Sequence, residues 1–430
     1  MKYWLEIGSF VAATLAASPV LSADSLDRLT FAAFAIKDQP PTIAEAKAVI
    51  AGEQSVDALV QSWLSAPEHI ERIRRHYRDL YGAAAFEAAV FPNLRVTDQG
   101  LYYPGGDEEE ATPCDPSEAV QVEAWWAPPG QTISMCPEGV TGMCTPIMYE
   151  EDGESWEEPC GCGALQIACA TEEHAALARI AVNEEFERRA AYVYENNLTW
   201  MDLFAGDFVV ANQYLYLAYL NTAFIEAEGG LLGSEAAART LQGISSTGWE
   251  RHPFPGAAER SGVVTAPGFM VRFNNFRSRI RALSEGMLCV PIGPELNTDG
   301  ISTFINTDLG PETTNHAKAE CAECHYPMDN AGSLILAWGV EGEFNPETSQ
   351  AGHVFGQTGD GPSFLMQSFV QRGPGFIDCM AKRVWEDFAG RSWDSLDTTQ
   401  QKPIVDAANA GPRTLLRTVL TSPMFLELRK

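Results

Sequence analysis

Cys321-Ala322-Glu323-Cys324-His325 constrains this chain more than any other stretch. Two thiols separated by two residues can reach the two vinyl groups of one haem and form thioethers, and the histidine that follows is then held beneath the iron. A redox dithiol, a structural disulfide or half a zinc site would share the same spelling. Zinc would want a second pair at similar spacing, and the chain holds no other Cys-x-x-Cys. The motif is therefore read as the attachment site of one covalent haem c, with Cys321 and Cys324 as the thioether residues and His325 as the proximal iron ligand.

An export signal is expected over residues 1–22. Lys2 gives a thin basic start that Glu6 weakens, and Ser9 to Ala17 is apolar but too short to span a bilayer. Val20-Leu21-Ser22 or Leu21-Ser22-Ala23 offers the small residues of a cleavage site. No later segment is long and apolar enough to cross a membrane. The expected location is the periplasm or the cell exterior, where haem is attached to such motifs.

Cysteine usage agrees. Of ten cysteines, two go to haem, and the other eight are Cys114, Cys136, Cys144, Cys160, Cys162, Cys169, Cys289 and Cys379, an even number that suggests disulfides. The 29 basic residues against 58 acidic ones give a formal charge of −29, which argues against a nucleic-acid partner.

The pattern along the chain predicts a mostly α fold: a multi-helix array carrying a loop-rich, disulfide-bonded insertion and a C-terminal cytochrome-c-like haem region. Expected segments are an N-terminal helical domain (23–104), a Cys-rich acidic insertion (105–172), a central helical domain (173–290) and a haem-binding C-terminal domain (291–430). Thr42-Ile43-Ala44-Glu45 has capping-box form, and Pro67 opens the next basic helix. His69 and His76 on that helix are read as packed or solvated rather than as ligands. Residues 105–170 hold six cysteines, acidic runs and many glycines and prolines, with too little apolar content for a core. Cys160 and Cys162 are too close to pair with each other. Trp125-Trp126 is either an exposed binding platform or a small buried cluster. Helices are expected at His174–Asn196, Trp200–Tyr219, Phe273–Leu288, Ser363–Val370, Phe376–Phe388 and Thr399–Val419.

Several segments in order resemble a known family. They are Ser65-Ala66-Pro67 with Arg75-His76-Tyr77-Arg78-Asp79-Leu80; Leu203-Phe204-Ala205-Gly206-Asp207-Phe208 with Asn212; Ser261-Gly262-Val263-Val264-Thr265; and Met287-Leu288-Cys289-Val290-Pro291. The haem motif through Gly332, and the tail from Phe376-Ile377-Asp378-Cys379 to Leu420-Thr421-Ser422-Pro423, complete the set. Together they resemble the large exported cytochrome-c-like proteins of planctomycetes and related bacteria. That family continues Asp-Pro-x-Gly after the histidine, where this chain has Asp329-Asn330-Ala331-Gly332. The resemblance implies a mostly α fold and a Cys289–Cys379 disulfide. Such a bridge, closing a loop of about ninety residues, would stabilise by on the order of 4 kcal/mol.

The sixth iron position decides the chemistry. His316 is the leading distal candidate, and the resemblance also places a histidine there. Met366 and Met380 are alternatives, with His353 a further one, whereas Met328 is too close to the proximal histidine and is read as haem-edge packing. Asp329 fits a capping or turn role better than that of a proton acceptor. The reading that follows is an exported single-haem electron carrier in an extracytoplasmic redox chain, working with a redox partner protein. An open sixth position would instead suit a haem oxidoreductase, peroxidase-like or acting on a carbohydrate-related substrate. A third reading is a surface recognition protein with a structural haem, assembling through the Cys-rich insertion.

Overall fold

A computed structural model describes residues 23–81, 93–104, 113–140, 162–167, 169–226, 235–255, 259–292, 327–339, 344–345 and 348–426. The signal-peptide reading, the haem motif, His316, Cys144 and Cys160 lie outside them. The chain is mostly helical and divides into two compact units: Met1–His76, Tyr194–Leu198 and Ile377–Lys430 form one, and Tyr77–Val193 with Thr199–Phe376 the other. No helix among the described residues is long and apolar enough to cross a membrane.

The first unit is built from α1 (Ala23–Lys37), α2 (Ile43–Ile50), α3 (Val56–Trp63) and the start of α4 (Pro67–Tyr81), with the helices of the C-terminal tail. The expected capping box forms: Thr42 accepts from the Glu45 amide, and the Glu45 carboxylate accepts from the Thr42 amide at 2.7 Å. Glu45 also accepts from the Trp63 indole at 2.6 Å, so one cap ties two helices together. Leu29, Ile36, Val60, Trp63, Leu415, Leu420 and Phe425 are buried, with Phe31 and Phe425 rings 5.0 Å apart.

Both helix histidines are packed, one of the two states expected for them. His69 Nδ1 lies 3.2 Å from the Ile36 carbonyl and Nε2 lies 3.0 Å from the Tyr194 hydroxyl. Nδ1 must therefore donate and Nε2 accept, which is the neutral imidazole. Burial, reinforced by Arg417 and Arg72 nearby, holds its pKa down at about 4 despite the opposing carbonyl bond. His76 Nδ1 sits 2.8 Å from Asp387, which Arg72 also pairs at 2.7 Å. Burial pushes the Asp387 carboxyl up, but His76 and Arg72 outweigh it and hold the carboxyl low.

In the second unit the chain between the first and central helices carries, beside the turns and loops that composition predicts, short strands that it does not. It forms a five-stranded mixed sheet, β1 (Asn93–Val96), β2 (Leu101–Pro104), β3 (Val120–Glu123), β4 (Thr132–Met135) and β5 (Ala170–Thr171), in the order β3-β4-β2-β1-β5. Leu94, Met135, Cys162 and Cys169 are buried beneath it. The sheet begins before residue 105, and Tyr102, Val122 and Ile133 pack against this cluster while Val96 and Val120 stay exposed. Cys114 pairs with Cys136 and Cys162 with Cys169, so the region is pinned by its own disulfides as expected. Trp125 is fully buried, which decides for the buried cluster.

α5 (Glu172–Glu195) follows, then α6 (Trp200–Phe204), β6 (Phe208–Ala211) and α7 (Gln213–Glu226). The single helix expected over Trp200–Tyr219 is thus interrupted by a strand. β6 pairs antiparallel with β7 (Glu250–Pro253), and all four of its residues are buried. Buried Arg189 of α5 causes the break. Its guanidinium donates to the carbonyls of Asp202 at 2.8 Å, Gly206 at 3.0 Å and Phe208 at 2.5 Å, claiming acceptors that a continuous helix would need.

The segments Leu203–Phe208 and Ser261–Thr265 meet here. The Gly262 amide donates to Gly206 O at 3.2 Å and the Val263 amide to Phe204 O at 3.3 Å. Gly262 has φ +48°, and a Cβ there would stand 1.6 Å from the Phe204 carbonyl oxygen. One turn from Arg189, buried Glu185 accepts from the Tyr219 hydroxyl, while its Oε2 has no hydrogen-bond partner. Burial raises this carboxyl to about 7, against the opposing pull of Tyr219, Arg189 and Arg260.

After α8 (Glu235–Gln242) come α9 (Pro267–Arg272) and α10 (Phe276–Leu283), which runs into a π turn, Ser284–Leu288. A helical turn over 327–332 continues as Ser333–Ile335, followed by a hairpin, β8 (Gly352–Val354) and β9 (Gln357–Gly359), and α11 (Gly361–Arg372). The tail holds α12 (Phe376–Ala389), α13 (Thr398–Ala410) and α14 (Pro412–Thr421). The expected single helix at Thr399–Val419 is two, because Gly411 takes φ +121° and Pro412 opens the next.

Two outcomes follow. Protonating His69 removes its acceptor, and the unfolded chain binds that proton more readily between pH 4 and 6.5. Stability should fall by about 3 kcal/mol as pH drops through that window, and urea titrations of His69→Gln should show a shallower fall. Gly262→Ala should lower unfolding free energy by about 3 kcal/mol or more, whereas Gly52→Ala, with open space around its Cβ position, should cost only about 1 kcal/mol of backbone strain.

Candidate functional site

Residues 327–339 follow directly on the Cys321–His325 motif as its downstream flank, and two arginines of α10 hold them in place. Arg277 grips Asp329 with both arms of its guanidinium, Nε to Oδ1 at 2.5 Å and Nη2 to Oδ2 at 3.0 Å. Asp329 is therefore the anchor of the first turn after the motif, an ion-pair role that the sequence reading did not identify. Arg279, 1% exposed, donates to Trp338 O at 2.7 Å, Gly339 O at 2.8 Å and Phe273 O at 3.0 Å. One helix thus fixes both ends of the flank. A charged, bidentate contact at one end sets direction. A buried cation satisfying carbonyls at the other end stops the helix.

Small residues allow the close approach. A Cβ on Gly332 would lie 2.2 Å from the Phe276 ring, so α10 and the flank touch at backbone distance. On the opposite side, a Cβ on Gly352 would meet Leu334 at 2.5 Å and Asn330 O at 2.6 Å, which seats the β8–β9 hairpin directly on the flank. α11 packs against the Ser333–Ile335 turn, and the Glu259 carboxylate caps its N-terminus by accepting from the Ser363 amide at 3.2 Å. Phe355 and Phe369, 5.1 Å apart, lock the hairpin to α11.

Upstream, the π turn carries Ser284, whose hydroxyl donates to Val290 O at 2.8 Å. A Cβ on Gly286 would stand 2.6 Å from the Tyr81 hydroxyl, so this bulge is shaped around an aromatic cluster of Tyr81, Phe186 and Phe204. It ends at Cys289, in the left-handed conformation with φ +56°.

The expected ligands are distributed as follows. Met366 is fully buried on α11, the helix that packs on the flank. His353 is largely buried in the hairpin, with Nδ1 3.2 Å from Thr358 Oγ1. Met380 is buried in α12, in the other unit. Met328 is half-buried on the first turn after the motif. Cys321, Cys324, His325 and His316 lie outside the described residues. Cys289 and Cys379 are both disulfide-bonded, the state that the implied bridge requires.

A buried thioether, Met366, and a largely buried imidazole, His353, belong to the helix and the hairpin that pack on the flank. Six cysteines, Cys114, Cys136, Cys162, Cys169, Cys289 and Cys379, are disulfide-bonded. Cys114, Cys136 and Glu138 also bring three potential ligand atoms within 4.8 Å of one another. Those sulfurs are bonded to each other, so they are not thiolates and the group is no metal site.

Sequence reasoning missed the arginines. Arg277 and Arg279, two residues apart within the segment expected as the helix Phe273–Leu288, supply the frame. Their i, i+2 spacing on a helix sends the two side chains to different sides, a signal that solvated arginines would share. Compared with known proteins, the chain matches no family model, no curated protein and no solved structure.

Removing the bidentate grip should free the flank without unfolding the unit. Asp329→Asn is expected to cost about 1–2 kcal/mol and to speed amide hydrogen exchange over 327–335 more than over α5.

Proposed function

We propose that this protein is an exported cytochrome carrying one covalent haem c, and that it transfers electrons in an extracytoplasmic redox chain with a protein partner. The observation that carries the reading is Cys321-Ala322-Glu323-Cys324-His325, and it is supported by a downstream flank held at both ends by α10. Cys321 and Cys324 attach the porphyrin, and His325 binds the iron from the proximal side. His316 is the leading distal ligand. Met366, buried on the helix that packs on the flank, is the runner-up.

When bound, the haem supplies a one-electron couple. The chain's own residues keep water away and hold the ligand-bearing segment still. Arg277–Asp329 and the Arg279 carbonyl contacts hold that segment. A fixed frame suits electron transfer, because little reorganisation then accompanies a change of oxidation state. Pairing of Cys289 with Cys379, proposed here on the family resemblance, would brace the segment further.

Disulfide-bonded cysteines suit an oxidising compartment, which supports export. The charge of −29 favours a redox partner that presents a basic face.

The test is expression with a signal sequence in a strain competent for cytochrome maturation. A pyridine haemochrome assay should give one haem per chain, intact mass should show one added porphyrin, and the native spectrum should be low-spin and unchanged by cyanide. Absence of porphyrin would end the reading, and a high-spin spectrum that shifts with cyanide would replace the carrier with a haem oxidoreductase. Replacing His316 by Ala and Met366 by Leu in turn identifies the distal ligand as the substitution that abolishes the low-spin spectrum.

A further inference from the structure

The turn between α5 and α6 spells Glu195-Asn196-Asn197-Leu198-Thr199. An asparagine followed at the second place by serine or threonine, with no proline between, is the acceptor sequence for an N-linked glycan. No other asparagine of the chain stands so. Transferases of the bacterial type also read an acid two places before the asparagine, a charged handle that an arginine can grip. Glu195 supplies it.

Ordinary uses account for part of the pattern. Asn197 has φ +53° and follows the end of α5 in the left-handed region, which asparagine tolerates better than most residues. Thr199 is the N-cap of α6: its hydroxyl accepts from the Asp202 amide at 3.2 Å and donates to Asp202 Oδ2 at 2.7 Å. Two side chains are left over. Asn197 and Glu195 are exposed, and among the described residues neither the carboxamide nor the carboxylate makes a hydrogen bond or an ion pair. Only their backbones are held, the Asn197 amide donating to Tyr194 O at 3.2 Å and the Glu195 carbonyl accepting from Arg413 at 3.1 Å. The acceptor nitrogen therefore stands in solvent, where a bulky polar substituent displaces no partner.

We propose that Asn197 is the acceptor of an N-linked glycan in the exported protein. The donor is an oligosaccharide carried on a polyisoprenyl diphosphate, and a membrane oligosaccharyltransferase makes the transfer. Asn197 Nδ2 bonds to C1 of the first sugar while the C1–O bond to the diphosphate breaks. The diphosphate leaves with the electron pair, and the amide proton passes to a carboxylate of the transferase. Nothing is oxidised or reduced. The transferase must hold the Thr199 hydroxyl, which the folded cap commits to Asp202, so transfer precedes closure of that cap. The inference rests on the export part of the proposed function and not on the haem.

The experiment uses the full chain, exported on a host signal sequence, in a bacterial host that carries an oligosaccharyltransferase and its lipid-linked oligosaccharide. Intact mass should show one glycan per chain, and peptide mapping should place it on Asn197. Asn197→Gln should remove it. Thr199→Asn should remove it as well, although asparagine keeps the N-cap, so that loss reads the acceptor sequence and not the fold. Asp202→Ala, which frees the Thr199 hydroxyl, should raise the glycosylated fraction, and Glu195→Gln should lower it severalfold. An exported chain without glycan, or a glycan that survives Asn197→Gln or Thr199→Asn, would overturn the proposal. Export by residues 1–22 is scored separately, by fractionating cells that express the native chain, so the two readings fail apart.

Discussion

A buried guanidinium organises the larger unit. Burial pulls the Arg189 pKa down to about 10, so the group is still charged at neutral pH and must be neutralised where it sits. It does so chiefly through backbone carbonyls. Those of Asp202, Gly206 and Phe208 turn inward to meet it, which ends α6, sets the direction of β6 and forces a residue without a side chain at 206. The Phe208 ring then lies between Arg189 and Arg251, with guanidinium carbons 4.3 and 4.1 Å from its centroid. Gly262 crosses the same turn so closely that its missing Cβ is part of the contact.

The same device recurs beside the motif. Arg279 also stops a chain segment by collecting carbonyls, and Arg277 aligns the other end through a carboxylate. In a chain with twice as many acidic as basic residues, turning cations inward leaves the outer surface more acidic than the net count alone implies. The frame around the proposed haem and the long-range field that would greet a basic partner are therefore two results of one allocation of charge.

Local signals in the sequence were legible. The Thr42 cap, the opening of α4 at Pro67, and the helices α11 and α12 could all be read from spacing and capping chemistry. What failed depended on distant partners. Strands β1 to β5 are four residues or shorter, and their ladders join segments far apart, so no window along 93–171 carries an alternating pattern long enough to recognise. Phe208–Ala211 continues an apolar run that suits a helix, until Arg189 and β7 claim its backbone. At the candidate site the motif itself was plain. Its frame was not, because the acceptors of Arg279 lie at Trp338 and Gly339, beyond any helical period.

Glu185 and His69 bind protons in opposite senses relative to the unfolded chain. Between about pH 4.5 and 6.5 unfolding releases a proton from the carboxyl, raised to about 7 in the fold, and takes one up on the imidazole, lowered to about 4. Through these two groups the exchange is nearly closed there, so a calorimeter would register from them almost the same heat in phosphate as in a buffer with a large ionisation enthalpy. Between pH 6.5 and 7 the imidazole drops out, the release stands alone, and the two buffers would begin to disagree.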